Sequence, residues 1–74
     1  MKALVLITVA TGADETVRDA VSKIRGVRSA FMVYGVYDVV ATVEVDSMGE
    51  MRRLTDDVRE VDDVRSTLTL MQVE

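Results

Sequence analysis

The segment Tyr34-Gly35-Val36-Tyr37-Asp38 is where side chains of different chemistry cluster most closely in the sequence. Gly35 supplies backbone freedom for a turn, and two tyrosines and one carboxylate surround it. A carboxylate beside exposed backbone N–H and C=O groups can receive both the ammonium and the carboxylate of a free amino acid. The alternative is a turn aspartate that hydrogen-bonds its own backbone. Residue chemistry alone leaves both interpretations open.

Several classes of site are excluded by composition, because the chain contains no cysteine and no histidine. Disulfides, thiolate chemistry, Cys/His zinc sites and imidazole catalysis are therefore impossible. Two acidic pairs, Asp56-Asp57 and Asp62-Asp63, suggest a metal site, but neither has the spacing of a calcium loop and a solvated helix end is favoured. We therefore predict no catalytic residue, no metal and no cofactor.

Length and charge limit the partners of the chain. Its 74 residues form one domain (1–74), and the net charge of −4 makes direct nucleic-acid binding unfavourable. No apolar run approaches the roughly 20 residues that a membrane span needs. The first ten residues superficially resemble a signal peptide, but the stretch is interpreted as a strand, which predicts a cytoplasmic protein.

The apolar pattern predicts four strands and two helices. The first helix has one apolar face, is capped at Thr11 with Asp14, and is closed by Gly26. The second opens with a capping box at Ser47 and Glu50. Its inner face is predicted to consist of Met48, Met51, Leu54, Thr55, Val58 and Val61. The strands are predicted over residues 3–10, 27–34, 39–45 and 64–73.

The element order β-α-β-β-α-β predicts an α+β, ferredoxin-like fold. Right-handed crossovers give an antiparallel sheet of strand order 4-1-3-2, with both helices on one face. A weak internal repeat supports this order, because Val27-Arg28-Ser29 recurs as Val64-Arg65-Ser66 at the strand that follows each helix.

The sheet face opposite the helices is predicted to be largely apolar. Both alternating sets of the first strand are aliphatic, and the third strand carries one charge, Glu44. Soluble monomers rarely expose a large apolar patch, and this chain has no segment left over to cover one. We therefore predict a homo-oligomer in which two copies pack sheet against sheet across a two-fold axis.

Two motifs resemble one known family. Gly35-Val36-Tyr37-Asp38, followed by an aliphatic strand, resembles the Gly-x-aromatic-Asp motif of the effector domain of the Lrp/AsnC family, also called the RAM (regulation of amino acid metabolism) domain. The tail 64–70 resembles the family's final strand with its Thr-x-Thr, and Gly26-Val27 also fits. The resemblance covers essentially the whole chain.

The resemblance implies dimeric α+β barrels that assemble into octamers or similar rings, with small-molecule effectors, usually amino acids, between dimers. Gly35, Val36, Tyr37 and Asp38 would line the pocket from one subunit, and Thr67 and Thr69 from a neighbour. Tyr34 stands where a small hydroxyl residue is common, and with Ser66 it is a possible modifier of the pocket. Asp63 replaces a usual glycine, so that turn is expected to differ.

Family members usually carry an N-terminal helix-turn-helix domain, whereas this chain begins directly at its first predicted strand. It therefore resembles a stand-alone sensor without a DNA-binding domain. The favoured function is amino-acid sensing and oligomerisation in transcriptional regulation, alone or with full-length Lrp/AsnC regulators. Two alternatives stay open. One is a small dimeric ferredoxin-like enzyme, which the absence of a nucleophile constellation disfavours. The other is a ligand-free modulator of partner assembly.

Overall fold

A computed structural model describes residues 1–73 and confirms the predicted βαββαβ architecture. The elements are β1 (Lys2–Val9), α1 (Asp14–Ser22), β2 (Val27–Met32), β3 (Val39–Glu44), α2 (Met48–Arg59) and β4 (Val64–Met71). The strands form one antiparallel sheet in the order β2-β3-β1-β4, the predicted 4-1-3-2, with β1 and β3 in the centre. The helices cover one face, α1 against β2 and β3 and α2 against β4.

The core lies between the helices and the sheet and is wholly aliphatic apart from Met51. Alternate residues of the two central strands point into it, because strand side chains alternate between faces. Its members are Ala3, Val5, Ile7, Val17, Val21, Val39, Ala41, Val43, Val45, Met51, Leu54 and Val58. We call the other side of the sheet, which no helix covers, the open face.

The ends of the helices confirm one predicted cap and correct another. The Ser47 hydroxyl accepts a hydrogen bond from the backbone N–H of Glu50 at 3.1 Å, so α2 begins as predicted. By contrast, α1 begins after Ala13 with no side-chain cap, so the predicted cap at Thr11 is wrong. Instead, the acidic side chains of Asp14 and Glu15 in the first turn stabilise the helix by interacting with the positive end of its dipole. The helix also ends at Ser22, well before Gly26.

The surface of α2 differs from the prediction at one core position. Met51 is buried, but Met48 lies in the first turn with 58% of its surface exposed, so its assignment to the inner face is wrong. At the other end of the helix, Asp57 pairs with Arg53 at 2.8 Å and Asp56 pairs with Arg59 at 3.3 Å. The acidic pair is thus engaged by arginines on the helix surface.

The two edge strands begin with the same backbone feature, at the sites of the Val-Arg-Ser repeat. We call Gly26–Ser29 the first corner and Asp63–Ser66 the second corner. Along β2, Val27 and Ser29 pair with consecutive residues of β3, so Arg28 is the extra residue of a β-bulge. Along β4, the partners of Val64 and Ser66 are likewise consecutive on β1, so Arg65 is the extra residue there.

Further contacts extend the similarity of the corners. Each begins with a residue that has a positive φ, which is Gly26 at +99° in the first corner and Asp63 at +72° in the second. The aspartate therefore adopts the left-handed conformation that a glycine would favour. On the open face, Ser29 and Thr42 share a hydrogen bond of 2.6 Å, as do Ser66 and Thr8.

Candidate ligand-binding site

Asp38 lies where β3 begins and joins the hairpin to the central strand β1. Its carboxylate Oδ2 accepts a hydrogen bond from the backbone N–H of Val9 at 2.9 Å. Its own backbone N–H donates to the carbonyl of Ile7 at 2.9 Å, and its carbonyl accepts from Val33 at 3.0 Å. The side chain therefore replaces a backbone acceptor at the end of the β1–β3 ladder and lets the chain leave the sheet before β3.

This geometry corrects the simpler alternative for Asp38. The carboxylate bonds a strand 29 residues away in sequence, and not the backbone of its own turn. Within residues 1–73, Oδ1 makes no hydrogen bond and the carboxylate has no ion-pair partner. One oxygen is thus fixed by the fold, and the other keeps its capacity to accept a hydrogen bond from a cation.

The tip of the hairpin extends into solvent. β2 ends at Met32, two residues earlier than predicted, and the chain turns at Gly35, whose φ is +127°. A Cβ at Gly35 would meet no atom within 4 Å, so the space around the turn is open. Tyr34 is fully exposed and Val36 is 83% exposed, while Tyr37 is half-buried. The side chains of Tyr34 and Val36 are therefore accessible to another subunit.

The Thr-x-Thr pair lies on the far side of β1 from the hairpin. Thr67 pairs with Ile7 and Thr69 with Val5, so both threonines share the helix-facing side of the sheet and are half-buried. Ser66 pairs with Thr8 and belongs to the open face. The fold thus brings Thr67 and Asp38 to opposite sides of Ile7, and Thr69 lies further along β4 towards the middle of the sheet.

Three grooves on the surface of the described chain lie away from the predicted site residues. One, of about 540 Å³, is lined by apolar side chains such as Leu4 and Leu70 together with the charged pair Arg28 and Glu44. A second, of about 510 Å³, is polar and includes Arg53. The third lies beside Met1. All three are near the end of the sheet opposite to the hairpin.

The open face carries a band of exposed aliphatic side chains. Cross-strand pairing places Leu70 beside Leu4, and Leu68 beside Leu6. Val40 and Phe31 continue the second row onto β3 and β2. The exposed fractions of Leu4, Leu68 and Leu70 are 40%, 45% and 46%. Beside the band, Ser29 bonds Thr42 and Ser66 bonds Thr8 through their hydroxyl groups. Because these hydroxyls already have partners, covering this face would leave few of its polar groups without a hydrogen bond.

One feature at the site escaped the sequence analysis, and a second was signalled only in part. The N–H of Val9 as partner of Asp38 is a long-range contact between strands, and no local pattern signals it. The second corner beside the site was signalled, because the Val-Arg-Ser repeat marks both bulges, but the sequence does not show that the extra residue is an arginine in each case.

Among residues 1–73, no three acidic side chains are grouped to hold a metal ion, and no helix could cross a membrane.

Comparison with known proteins points to one family over the whole chain. A family model described as the Lrp/AsnC ligand binding domain matches residues 2–74. A search of curated proteins found no significant match.

Several solved structures share the fold. TTHA0845 from Thermus thermophilus is 26% identical, with a TM-score of 0.92 over 99% of this chain and 92% of that one. PHS023 from Pyrococcus horikoshii is also 26% identical, with a TM-score of 0.87 over 99% and 89% of the two chains. AsnC from E. coli is 17% identical and shows the same fold, with a TM-score of 0.89 over 99% of this chain and 50% of its own.

Proposed function

The chain belongs to the Lrp/AsnC family as a ligand-binding domain, and from this membership we propose that it senses a free amino acid in the regulation of transcription. The effector binds at the hairpin 34–38, against threonines contributed by a second subunit. In this proposal the protein acts in the cytoplasm as a homo-oligomer, catalyses no reaction and does not contact nucleic acid directly.

The observation that carries the proposal is the half-satisfied carboxylate of Asp38. Its Oδ2 is held by the N–H of Val9, so the group is positioned before any ligand arrives. A positioned carboxylate loses little conformational freedom on binding, and an ammonium donor gives it a charge-assisted hydrogen bond. A free amino acid carries such a donor, the ammonium group on its α-carbon.

The incomplete pocket supports a site shared between subunits. Within one subunit, Thr67 and Asp38 are separated by β1, and the short threonine side chain makes no contact with the Asp38 carboxylate. A neighbouring copy that supplies its own Thr67 and Thr69 to the hairpin would close the pocket. The exposed Tyr34 and Val36 at the tip then contact that neighbour.

The open face supports dimerisation as the first step of assembly. Its leucines and Phe31 form one apolar band on a small domain, which a second copy covers by packing sheet against sheet. Assembly of such dimers into an octamer or a similar ring is part of the proposal, as is co-assembly with full-length regulators of the family.

A structural neighbour supports the class of effector. The transcriptional regulator NMB0573 from Neisseria meningitidis was solved as a complex with L-Met, and it is 17% identical to this chain over 99% of it, with a TM-score of 0.86. The present chain spans about half of that protein, 49% of its length. The match supports an amino acid as the class of effector.

Binding is tested with the twenty amino acids by differential thermal shift, followed by calorimetry on those that stabilise the protein. A ligand at 100 times its Kd adds about 2.7 kcal/mol to the free energy of unfolding. Asp38→Asn should weaken binding on the order of 10- to 100-fold, because it removes the charge-assisted bond. Its amide oxygen still accepts from Val9, so the melting temperature should change little.

Asp46→Asn is the matched control, because Asp46 is an exposed aspartate near the opposite end of the sheet. It removes the same charge and should leave the affinity unchanged. The proposal is wrong if no amino acid stabilises the wild-type protein at millimolar concentration, or if both variants bind equally well.

Assembly is tested with Leu4→Asp, which places a charge in the centre of the apolar band. Light scattering should find the wild-type protein as a dimer or larger at micromolar concentration. The variant should be monomeric or unfolded, since an unpaired buried charge costs several kcal/mol. Thr16→Asp, on the exposed surface of α1, adds the same charge and should not change the mass. A wild-type monomer would contradict the proposed interface.

A further inference from the structure

The two corners place two arginines in equivalent positions but give only one of them a partner. Arg28 and Arg65 are the extra residues of their bulges, and both are exposed. Arg28 pairs with Glu44 at 3.6 Å. Arg65 has no ion-pair partner among residues 1–73.

The backbone shows why the second arginine is left alone. At the first corner, the N–H of Glu44 donates to the carbonyl of Gly26 at 2.9 Å. At the second corner, the equivalent bond runs from the N–H of Ala10 to the carbonyl of Asp63 at 2.8 Å. Ala10 therefore occupies the place that Glu44 occupies in the first corner, and the carboxylate that would neutralise the arginine is replaced by a methyl group.

This arginine lies at the end of the sheet where Asp38 is anchored. Val64, its neighbour in sequence, pairs with Val9, and Val9 is the residue whose N–H holds the Asp38 carboxylate. Arg65 and Asp38 are thus on either side of β1, two strand spacings or about 9.6 Å apart at the backbone. The long arginine side chain can cover much of this distance, while the aspartate stays fixed.

A cation and an anion on either side of one strand, neither of them paired in residues 1–73, are complementary to the two charges of a zwitterion. Each charge-assisted bond is about 2.8 Å long, which leaves room for a small molecule between the two groups. The guanidinium is suited to a carboxylate because it donates two parallel hydrogen bonds.

We propose that Arg65 binds the α-carboxylate of the amino acid whose ammonium is bound by Asp38. This inference rests on the proposed function and adds to it a specificity: the site selects molecules that carry both charges on one carbon. Amines without the carboxylate, and amino-acid amides, should bind more weakly because they leave the guanidinium unpaired.

The test compares the amino acids that bind the wild-type protein with their α-carboxamides, by calorimetry on the full chain. The wild type should prefer the acid over the amide on the order of 10- to 100-fold. In Arg65→Gln this preference should disappear, with the affinity for the amide nearly unchanged. Arg65→Lys should restore part of it, because it restores the charge without the bidentate geometry.

Arg28→Gln is the matched control, since it alters the same bulge position at the other corner. It should keep the full preference for the acid, and circular dichroism should show all three variants folded. If Arg65→Gln keeps the preference while the wild type binds amino acids, this inference is wrong and the proposed function stands. If the wild type binds no amino acid, both are wrong.

Discussion

The first corner and the second corner share a backbone path, but among residues 1–73 charged side chains from elsewhere in the chain make hydrogen bonds or ion pairs only at the first. There Arg53 reaches across from α2 and donates to the carbonyl of Arg25 at 2.8 Å, while Glu44 engages Arg28. No such contacts cover Arg65 at the second corner, within the described chain. The shared backbone is what the fold needs, and the uncovered side chains are where a ligand has room to bind.

The residues with positive φ differ in the same direction. At Gly26 a Cβ would lie 2.7 Å from Leu54 Cδ1 and 3.2 Å from Val45 Cγ1, so only glycine fits without a shift of the core. Asp63 carries a full side chain at +72° and is exposed. The first corner is thus packed against the core, whereas the second lies at the surface and tolerates a side chain at some conformational cost.

The largest expected effect comes from breaking this difference with Gly26→Ala. The added methyl meets Leu54 in a left-handed backbone, so we expect a loss of about 2–4 kcal/mol in the free energy of unfolding. The counterpart, Asp63→Gly, should change the free energy of unfolding by less than about 1 kcal/mol. Glycine relieves the strain of the left-handed backbone, but it also increases the conformational entropy of the unfolded chain. Urea titration measures both, and equal losses at the two positions would contradict the distinction.

A smaller effect is expected where the corners agree. Ser29→Ala and Ser66→Ala each remove one of the 2.6 Å hydroxyl pairs on the open face. Each should cost about 0.5–1.5 kcal/mol, as a typical hydrogen bond does, and the two losses should match within about 0.5 kcal/mol. The measurement is thermal or urea unfolding at a fixed protein concentration. Clearly unequal losses would show that the corners differ on the open face as well.

The fold could be predicted from the sequence because its signals are local. Alternating aliphatic residues mark the central strands, and the spacing of Leu54 and Val58 marks the buried side of α2. The mistakes are also local in origin. Met48 has the spacing of a core residue, but it lies in the first turn of its helix, where the side chain faces solvent. Residue type and spacing do not reveal where the packed layer ends.

The candidate site was predictable only in its parts. The glycine and Asp38 stand out in sequence, but the bond from Val9 depends on the pairing of β1 with β3, and the facing of Thr67 depends on its register with Ile7. The unpaired state of Arg65 required comparison with Arg28, which only the structure brings into an equivalent position. Long-range pairing, not residue type, decides each of these.

The two bulges also have a consequence for the edges of the sheet. β2 and β4 each present an unpaired row of backbone groups, which is a template on which foreign strands can grow into fibrils. An extra residue at the start of each strand, with an exposed arginine on it, bends the edge and interrupts its regular ladder. The bulges at the two corners therefore disfavour open-ended association of copies through their sheet edges. Contact between copies through the open face and the hairpin 34–38, which can form a closed oligomer, is favoured instead.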